Sequence, residues 1–238
     1  MTSTVLVFRD DPYARKCTAS VTSVDGRGIR LDRTVFYPTG GGQPGDCGHL
    51  RLDDGTEIAI VDAVKGDGPD DVLHVPAAAA PSVEPGARVE AEIDWQRRYR
   101  LMQMHTCLHL LSAVLPYPVT GGSVGVDRGR LDFDITEASL DKAEIGQALN
   151  RLIGEDHPVV PRWISDAELE AKPELVKTMS VKPPRGMGRV RMIDISGLDL
   201  QPCGGTHVAR TGEISPVVVA KIQSKGRQNR RVVVAFAD

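Results

Sequence analysis

Aromatic residues are scarce: four Phe, four Tyr and two Trp make up 4 % of the 238 residues. An extended platform for stacking the bases of a single strand needs more than that, and none is expected. Cysteine is scarcer still, with only Cys17, Cys47, Cys107 and Cys203. In a chain this long with no secretory signal, so few cysteines exclude a disulfide framework. Neither sign of charge dominates: 29 Lys and Arg face 32 Asp and Glu, a net charge of −3 with neutral histidines. No global field therefore attracts a polyanion, and any nucleic-acid contact must come from local basic patches. No apolar run approaches the roughly 20 residues that cross a bilayer. Near the start, Arg9, Asp10 and Asp11 interrupt the apolar stretch that a signal peptide would need. A cytoplasmic protein without membrane contact is expected. The remainder, 41 % hydrophobic and 26 % charged, is ordinary globular composition with length for one large domain or two modest ones.

The pattern along the chain changes once. Up to about residue 90 it reads as short strands joined by Gly- and Asp-rich turns, with Asp25-Gly26 as a hairpin signal and strands at Ile58–Val64 and Val72–Val75. A small β-barrel or compact sheet over residues 1–90 follows. The Ala/Pro-rich segment from Pro76 to Pro85 reads as a linker or surface loop. Arg88–Asp94 alternates as a half-buried strand, and from Trp95 to Leu115 the period is helical. Trp95, Tyr99, Met102, His105 and His109 line one side of that helix. Leu101, Met104, Leu108 and Leu111 line a second, so its later turns are buried nearly all round. Pro116 and Pro118 end it. A second helix runs from about Leu140 to Ile153, with Gly154 suited to its C-terminal cap, and Ser165 with Glu168 forms a capping box for a shorter one. Strands at Arg189–Ile195, Ile214–Ile222 and Arg231–Ala237 complete an α+β domain over residues 91–238.

Two spacings carry chemistry. His105-Thr-Cys-Leu-His109 places two imidazoles one turn apart on one helix face. Cys203-Gly-Gly-Thr-His207 places a thiolate and an imidazole on one short loop, where the glycines permit close approach. Burying two unpartnered histidines in so apolar a helix would cost roughly a few kcal/mol, and one metal ion would satisfy both. His105, His109, Cys203 and His207 are therefore read as ligands of one zinc ion. Cys107 points away from the histidine face and is read as a core residue. The helix lacks the glutamate of the HExxH metalloprotease motif, and Cys203 lacks the PCxxC context of the nucleobase deaminases.

These residues resemble a known family. HTCLHLLSA and QPCGGTHVARTGEI, with FYPTGGGQPGD at Phe36–Asp46, look like the editing domain of alanyl-tRNA synthetase and its free-standing relatives, the AlaX trans-editing proteins. DWQRRYRLMQMHT, RLDFDI at Arg130–Ile135 and KIQSKGRQNRRV fit the same pattern, so the resemblance covers nearly the whole chain. It implies a free-standing editor of medium length, expected to be a monomer, with an N-terminal β-domain and no long C-terminal extension. It also implies hydrolysis of serine wrongly attached to tRNA(Ala), with glycine as a further substrate to be tested. The four ligands carry over as His105, His109, Cys203 and His207. The catalytic-pocket threonine of the family corresponds to Thr120, but the loop between Leu115 and Arg130 lacks the family's AGS stretch, so Ser123 stands as the alternative serine-sensing hydroxyl. Zinc with four protein ligands either expands its coordination to activate water or orients the substrate while another group places the water.

Gly40, Gly41, Gly42 and Gln43 are read first as a substrate- or domain-contact turn, and Gln43 second as a catalytic amide. For tRNA docking, Lys221, Lys225, Arg227, Arg230 and Arg231 form a run free of acidic residues on a turn suited to phosphate. Arg97, Arg98 and Arg100 form a second basic cluster. Two other readings compete: a non-catalytic tRNA-binding module in which zinc holds the fold, and an editor of another mischarged tRNA.

Overall fold

The computed structural model describes residues 4–68, 70–135, 140–176 and 188–237. The chain divides into two compact units, Met1–Tyr99 and Arg100–Asp238. In the first, six strands close a barrel: β1 (Lys16–Asp25), β2 (Gly28–Leu31), β3 (Gly48–Leu52), β4 (Glu57–Lys65), β5 (Val72–Pro76) and β6 (Arg88–Ile93), in the order β1-β2-β5-β4-β3-β6 and back to β1. The β1–β2 hairpin turns between Asp25 and Gly28, at the expected Asp-Gly signal. Alternation along β4 and β6 sends Ile58, Ile60, Val89, Ala91 and Ile93 into the core beside Phe36 and Leu50. β6 covers the Arg88–Asp94 alternation up to Ile93. It pairs with both β1 and β3 and so completes the barrel.

His74 lies inside this barrel unit, fully buried. Its Nδ1 is 2.9 Å from the Ile29 carbonyl and its Nε2 is 2.7 Å from the Thr34 hydroxyl. Burial disfavours the imidazolium and pushes its pKa down to about 4, although the Ile29 hydrogen bond works the other way. The unfolded chain takes up that proton near pH 6.5 while the folded chain does not. Stability is therefore full above pH 6.5 and is lost as the pH falls toward 4, by about 2 kcal/mol at pH 5 from this group. Urea unfolding at pH 7.5 and pH 5, with an NMR titration of the imidazole, checks this. A His74 resonance titrating near 6.5 would remove the basis for it.

In the second unit, α1 (Trp95–Val114) begins in the residues before Arg100. Asp94 caps it, its carboxylate accepting from the Arg97 N–H at 3.0 Å. Every residue from Leu101 to Ser112 is buried, as the two apolar sides of the sequence require. Four strands form one sheet: β7 (Val119–Ser123), β8 (Arg128–Asp134), β12 (Val217–Ser224) and β13 (Asn229–Phe236), in the order β12-β13-β8-β7. Gly129 on β8 lets α1 approach closely, since a Cβ there would lie 2.9 Å from Met104 Cγ and 3.1 Å from Leu108 Cδ1. Helix α2 (Lys142–Gly154) buries Ile145, Leu149, Leu152 and Ile153. Asp141 caps its start, and Asn150 hydrogen-bonds the backbone of Val217 on β12 in both directions. At its other end Gly154 is still helical and Asp156 takes the left-handed conformation (φ 54°), where the sequence suggested Gly154 as the cap.

A three-stranded sheet, β9 (Val159–Ser165), β10 (Arg189–Ile195) and β11 (Asp199–Pro202), runs antiparallel in that order. One face packs Val190, Met192, Ile164 and Leu200 against Leu169 of the short helix α3 (Asp166–Ala171). Ser165 and Glu168 form the expected capping box on α3. The other face belongs to the site. Among the described residues no helix is long and apolar enough to cross a membrane.

Candidate metal centre

The helix α1 and the loop after β11 bring together four side chains that could hold a metal ion. One atom from each of His105, His109, Cys203 and His207 lies within 4.8 Å of the others. Tetrahedral zinc, with Zn–N near 2.0–2.1 Å and Zn–S near 2.3 Å, needs ligand atoms about 3.3–3.6 Å apart. Cys203 Sγ is 3.5 Å from His105 Nε2 and 3.3 Å from His207 Nε2. The donor set suits such an ion, and these two sulfur–nitrogen distances match its geometry. Cys107 is fully buried, its thiol pushed up to about 12 by desolvation, and it lies outside the group.

The surroundings fix how the imidazoles present themselves. The Thr106 hydroxyl donates to the Met102 carbonyl at 2.9 Å and so must accept from His207 Nδ1, 3.1 Å away. That places the His207 proton on Nδ1 and leaves Nε2 as a lone pair facing Cys203. Asp199 Oδ2 accepts from His109 Nδ1 at 2.8 Å, and Gln201 Nε2 donates to the same carboxylate oxygen at 2.7 Å. Arg191 holds the ligand loop, its Nη1 donating to the Cys203 and Gly205 carbonyls at 2.9 and 3.0 Å.

The electrostatics follow from this packing. Burial opposes the Cys203 thiolate, but His105 and His207 outweigh it and hold the thiol well below its ordinary range. Burial also opposes a charged His109, yet Asp199 and Cys203 raise it to about 9. Burial and the neighbouring His105 push His207 down to about 3. Asp199→Asn keeps the shape and removes the charge behind His109. Metal affinity is expected to fall about 10- to 100-fold, measured by competition with a chromophoric chelator. Unchanged affinity would reduce Asp199 to a space-filling role.

Sequence reasoning missed Thr106, Arg191, Asp199 and Gln201. Thr106 sits inside the HTCLH motif itself. Asp199 and Gln201 alternate along a strand that ends at the ligand loop, a signal that can be read once Cys203 is taken as a ligand.

The other residues singled out from the sequence lie on separate elements. Thr120 and Ser123 are on β7. The Thr120 hydroxyl donates to the Asp132 carbonyl at 3.1 Å and accepts from Asn229 Nδ2 at 2.8 Å. Gly40 and Gln43 close a turn with two backbone hydrogen bonds of 3.0 Å, and Gly41 and Gly42, at φ 57° and 82°, form its exposed tip. The Gln43 side chain is buried rather than displayed at that tip. Lys221, Lys225 and Arg227 are exposed. Arg231 is committed to Asp132, with two contacts of 2.7 and 2.8 Å that satisfy its charge, and Arg230 bonds to Ser224 and Gly226. The second basic cluster is not a phosphate patch. Arg98 is fully buried against Asp46, Arg97 donates to the Gly45 carbonyl, and Arg100 pairs with Asp127 and covers Phe236.

Comparison with known proteins completes the description. The family model described as the threonyl and alanyl tRNA synthetase second additional domain matches residues 190–233, and that of class II (A) tRNA synthetases matches residues 2–97. The alanyl-tRNA editing protein AlaX-M of Methanosarcina acetivorans is 38 % identical, over 99 % of this chain and 100 % of that protein. Its counterpart in Methanosarcina mazei is 36 % identical, over 96 % and 94 %. An alanine–tRNA ligase of Sulfurisphaera tokodaii is 37 % identical over 91 % of this chain, which spans 24 % of the ligase.

Proposed function

The chain belongs to the AlaX family of alanyl-tRNA editing proteins, and on that premise we propose that it hydrolyses the ester of serine mistakenly joined to tRNA(Ala), in trans, while sparing alanine. The observation that carries the reading is the convergence of His105, His109, Cys203 and His207 in a chain alike to these editors from end to end. His105, His109, Cys203 and His207 would hold a zinc ion, which when bound would supply Lewis-acid chemistry toward the ester or its amino group.

The chain's own residues do the rest. Thr106 and Asp199 set the imidazole orientations before substrate arrives. Thr120 reads the serine hydroxyl. Its oxygen already donates to Asp132 and accepts from Asn229, which leaves one lone pair to accept from serine. Alanine offers no such donor. Ser123, on the same strand, is the alternative sensor. The exposed tip at Gly41 and Gly42 contacts the RNA through its backbone. Lys221, Lys225 and Arg227 meet phosphates, with Arg230 behind them. The protein acts as a monomer in the cytoplasm.

Thr120→Val is expected to slow hydrolysis of Ser-tRNA(Ala) about tenfold, the size of one buried hydrogen bond, and to leave the slow reaction of Ala-tRNA(Ala) unchanged. Equal slowing of both substrates would make Thr120 a shaper of the pocket and move the sensing role to Ser123. The function itself is tested by deacylation of Ser-tRNA(Ala), Gly-tRNA(Ala) and Ala-tRNA(Ala), with and without a chelator. Rapid, chelator-sensitive loss of serine with alanine retained is expected. Binding of tRNA without hydrolysis would leave a zinc-stabilised binding module, and hydrolysis confined to another tRNA would change the substrate.

A further inference from the structure

Antiparallel pairing fixes which side chains share a face of the β9-β10-β11 sheet, because directly opposed residues point the same way. Trp163 on β9 opposes Arg191 on β10, Pro161 opposes Ile193, Ile193 opposes Gln201 on β11, and Ile195 opposes Asp199. One face therefore runs from Trp163 through Arg191 to Gln201 and Asp199. At the β11 end it holds His109, and at its middle Arg191 grips the loop of Cys203. At the β9 end it reaches solvent at Trp163, about 10 Å across two strand spacings from β11 and about 13 Å along the strands from the register position of Asp199.

That outer end has an unusual composition for this chain. Trp163 is 42 % exposed and is the one exposed aromatic among the described residues. The Arg189 guanidinium lies over its ring, 4.4 Å from the centroid. Arg189 makes no ion pair among the described residues, so its charge is available. Arg162, on the opposite face, is paired with Asp194. Among the described residues β10 is the one strand that β9 pairs with, and at its start the Val159 N–H also donates to the Ala209 carbonyl at 2.9 Å. An exposed indole with an unpaired guanidinium, on the sheet face that carries Arg191, Gln201 and Asp199, matches what unpaired nucleotides require: a flat apolar face for a base and a positive charge for its phosphate.

We propose that Trp163 and Arg189 bind a base and phosphate of the single-stranded 3′ end of the RNA whose terminal ester reaches the metal centre. This rests on the proposed function for the identity of the RNA. Low aromatic content excludes an extended platform, and one indole is enough for one base.

The test uses uncharged tRNA(Ala), intact and shortened by its single-stranded 3′ end, so the result does not depend on ester hydrolysis. Trp163→Ala is expected to weaken binding of the intact RNA about tenfold and to leave the shortened RNA unaffected, as measured by fluorescence anisotropy. Trp163→Phe, which keeps a ring, should retain most of the affinity. Equal weakening for both RNAs, or no weakening for either, overturns the proposal, as does a Trp163→Phe variant as weak as Trp163→Ala. A shift in sedimentation on Trp163→Ala with unchanged RNA binding also overturns it, by making β9 a self-association edge. Absence of deacylation by the unaltered protein, with the truncation-dependent effect of Trp163→Ala intact, would refute the proposed function and leave this site standing.

Discussion

Replacing His105 and Cys203 together with alanine is expected to remove bound zinc and to abolish deacylation, leaving less than 1 % of it. Loss of an outer partner such as Asp199 costs about 10- to 100-fold, and this variant lacks two of the four side chains that would hold the ion. Wild-type protein should carry about one zinc per chain by elemental analysis. A ligand at about 100 times its Kd stabilises the folded state by about 2.7 kcal/mol, so a chelator should lower the wild-type melting temperature and leave the double variant unmoved. Full zinc content in the variant would place the metal elsewhere. A zinc-free but active variant would show that the ester is cleaved without it.

The largest effect on stability is expected at Arg98. Its side chain is fully buried and Asp46 is 1 % exposed. Arg98 Nε lies 3.0 and 2.9 Å from the two carboxylate oxygens, and Nη2 also bonds to Asp46. The remaining donors reach the carbonyls of Val35 at 2.7 Å and Pro12 at 3.1 Å. Asp46 in turn accepts from the Tyr37 N–H. Arg98→Ala leaves the buried Asp46 carboxylate with no countercharge, held by the Tyr37 N–H, and removes the Arg98 donors from the Val35 and Pro12 carbonyls, at a cost of about 3–5 kcal/mol. Arg98→Lys should restore little of it, because an ammonium cannot reproduce the fork that meets the carboxylate and two carbonyls at once. Arg98→Met combined with Asp46→Asn should be less damaging than Arg98→Ala alone, since no charge is then stranded. Urea unfolding of the three variants decides the matter. A loss under about 1 kcal/mol for Arg98→Ala would mean that water reaches Asp46 freely.

Arg98 also marks where reading the sequence stops. In DWQRRYR it follows Arg97 and precedes Arg100 by two positions, and composition alone groups the three as one patch. A helix turns about 100° per residue, so the three point in different directions and meet different neighbours. One is buried on Asp46, one bonds to a loop carbonyl and one covers Phe236. Arg231 follows the same pattern: it belongs to an acid-free run in the sequence but lies opposite Asp132 across β8 and β13. Which charge finds a partner is a long-range matter.

β9 escaped the sequence reading for a related reason. Val159–Ser165 contains Pro161 and little alternation, because an edge strand buries little of either face and tolerates proline. Its exposed indole gained meaning only through its register with β10 and β11.

The α+β class, the strands at Ile58–Val64, Val72–Val75 and Arg88–Asp94, the long buried helix and the grouping of His105, His109, Cys203 and His207 as candidate ligands were legible in the sequence. Each of these rests on local periodicity: a period of two sends Ile58 and Ile60 inward, and a spacing of four aligns His105 with His109. Tertiary structure alone decided that Asp199 backs His109, that Thr106 sets the proton on His207, that Arg191 grips the Cys203 loop and that Gln43 is buried. The partners in the first three lie on other elements, many residues away. A hydrogen bond depends on direction and distance to within fractions of an ångström, and only the packed chain supplies them.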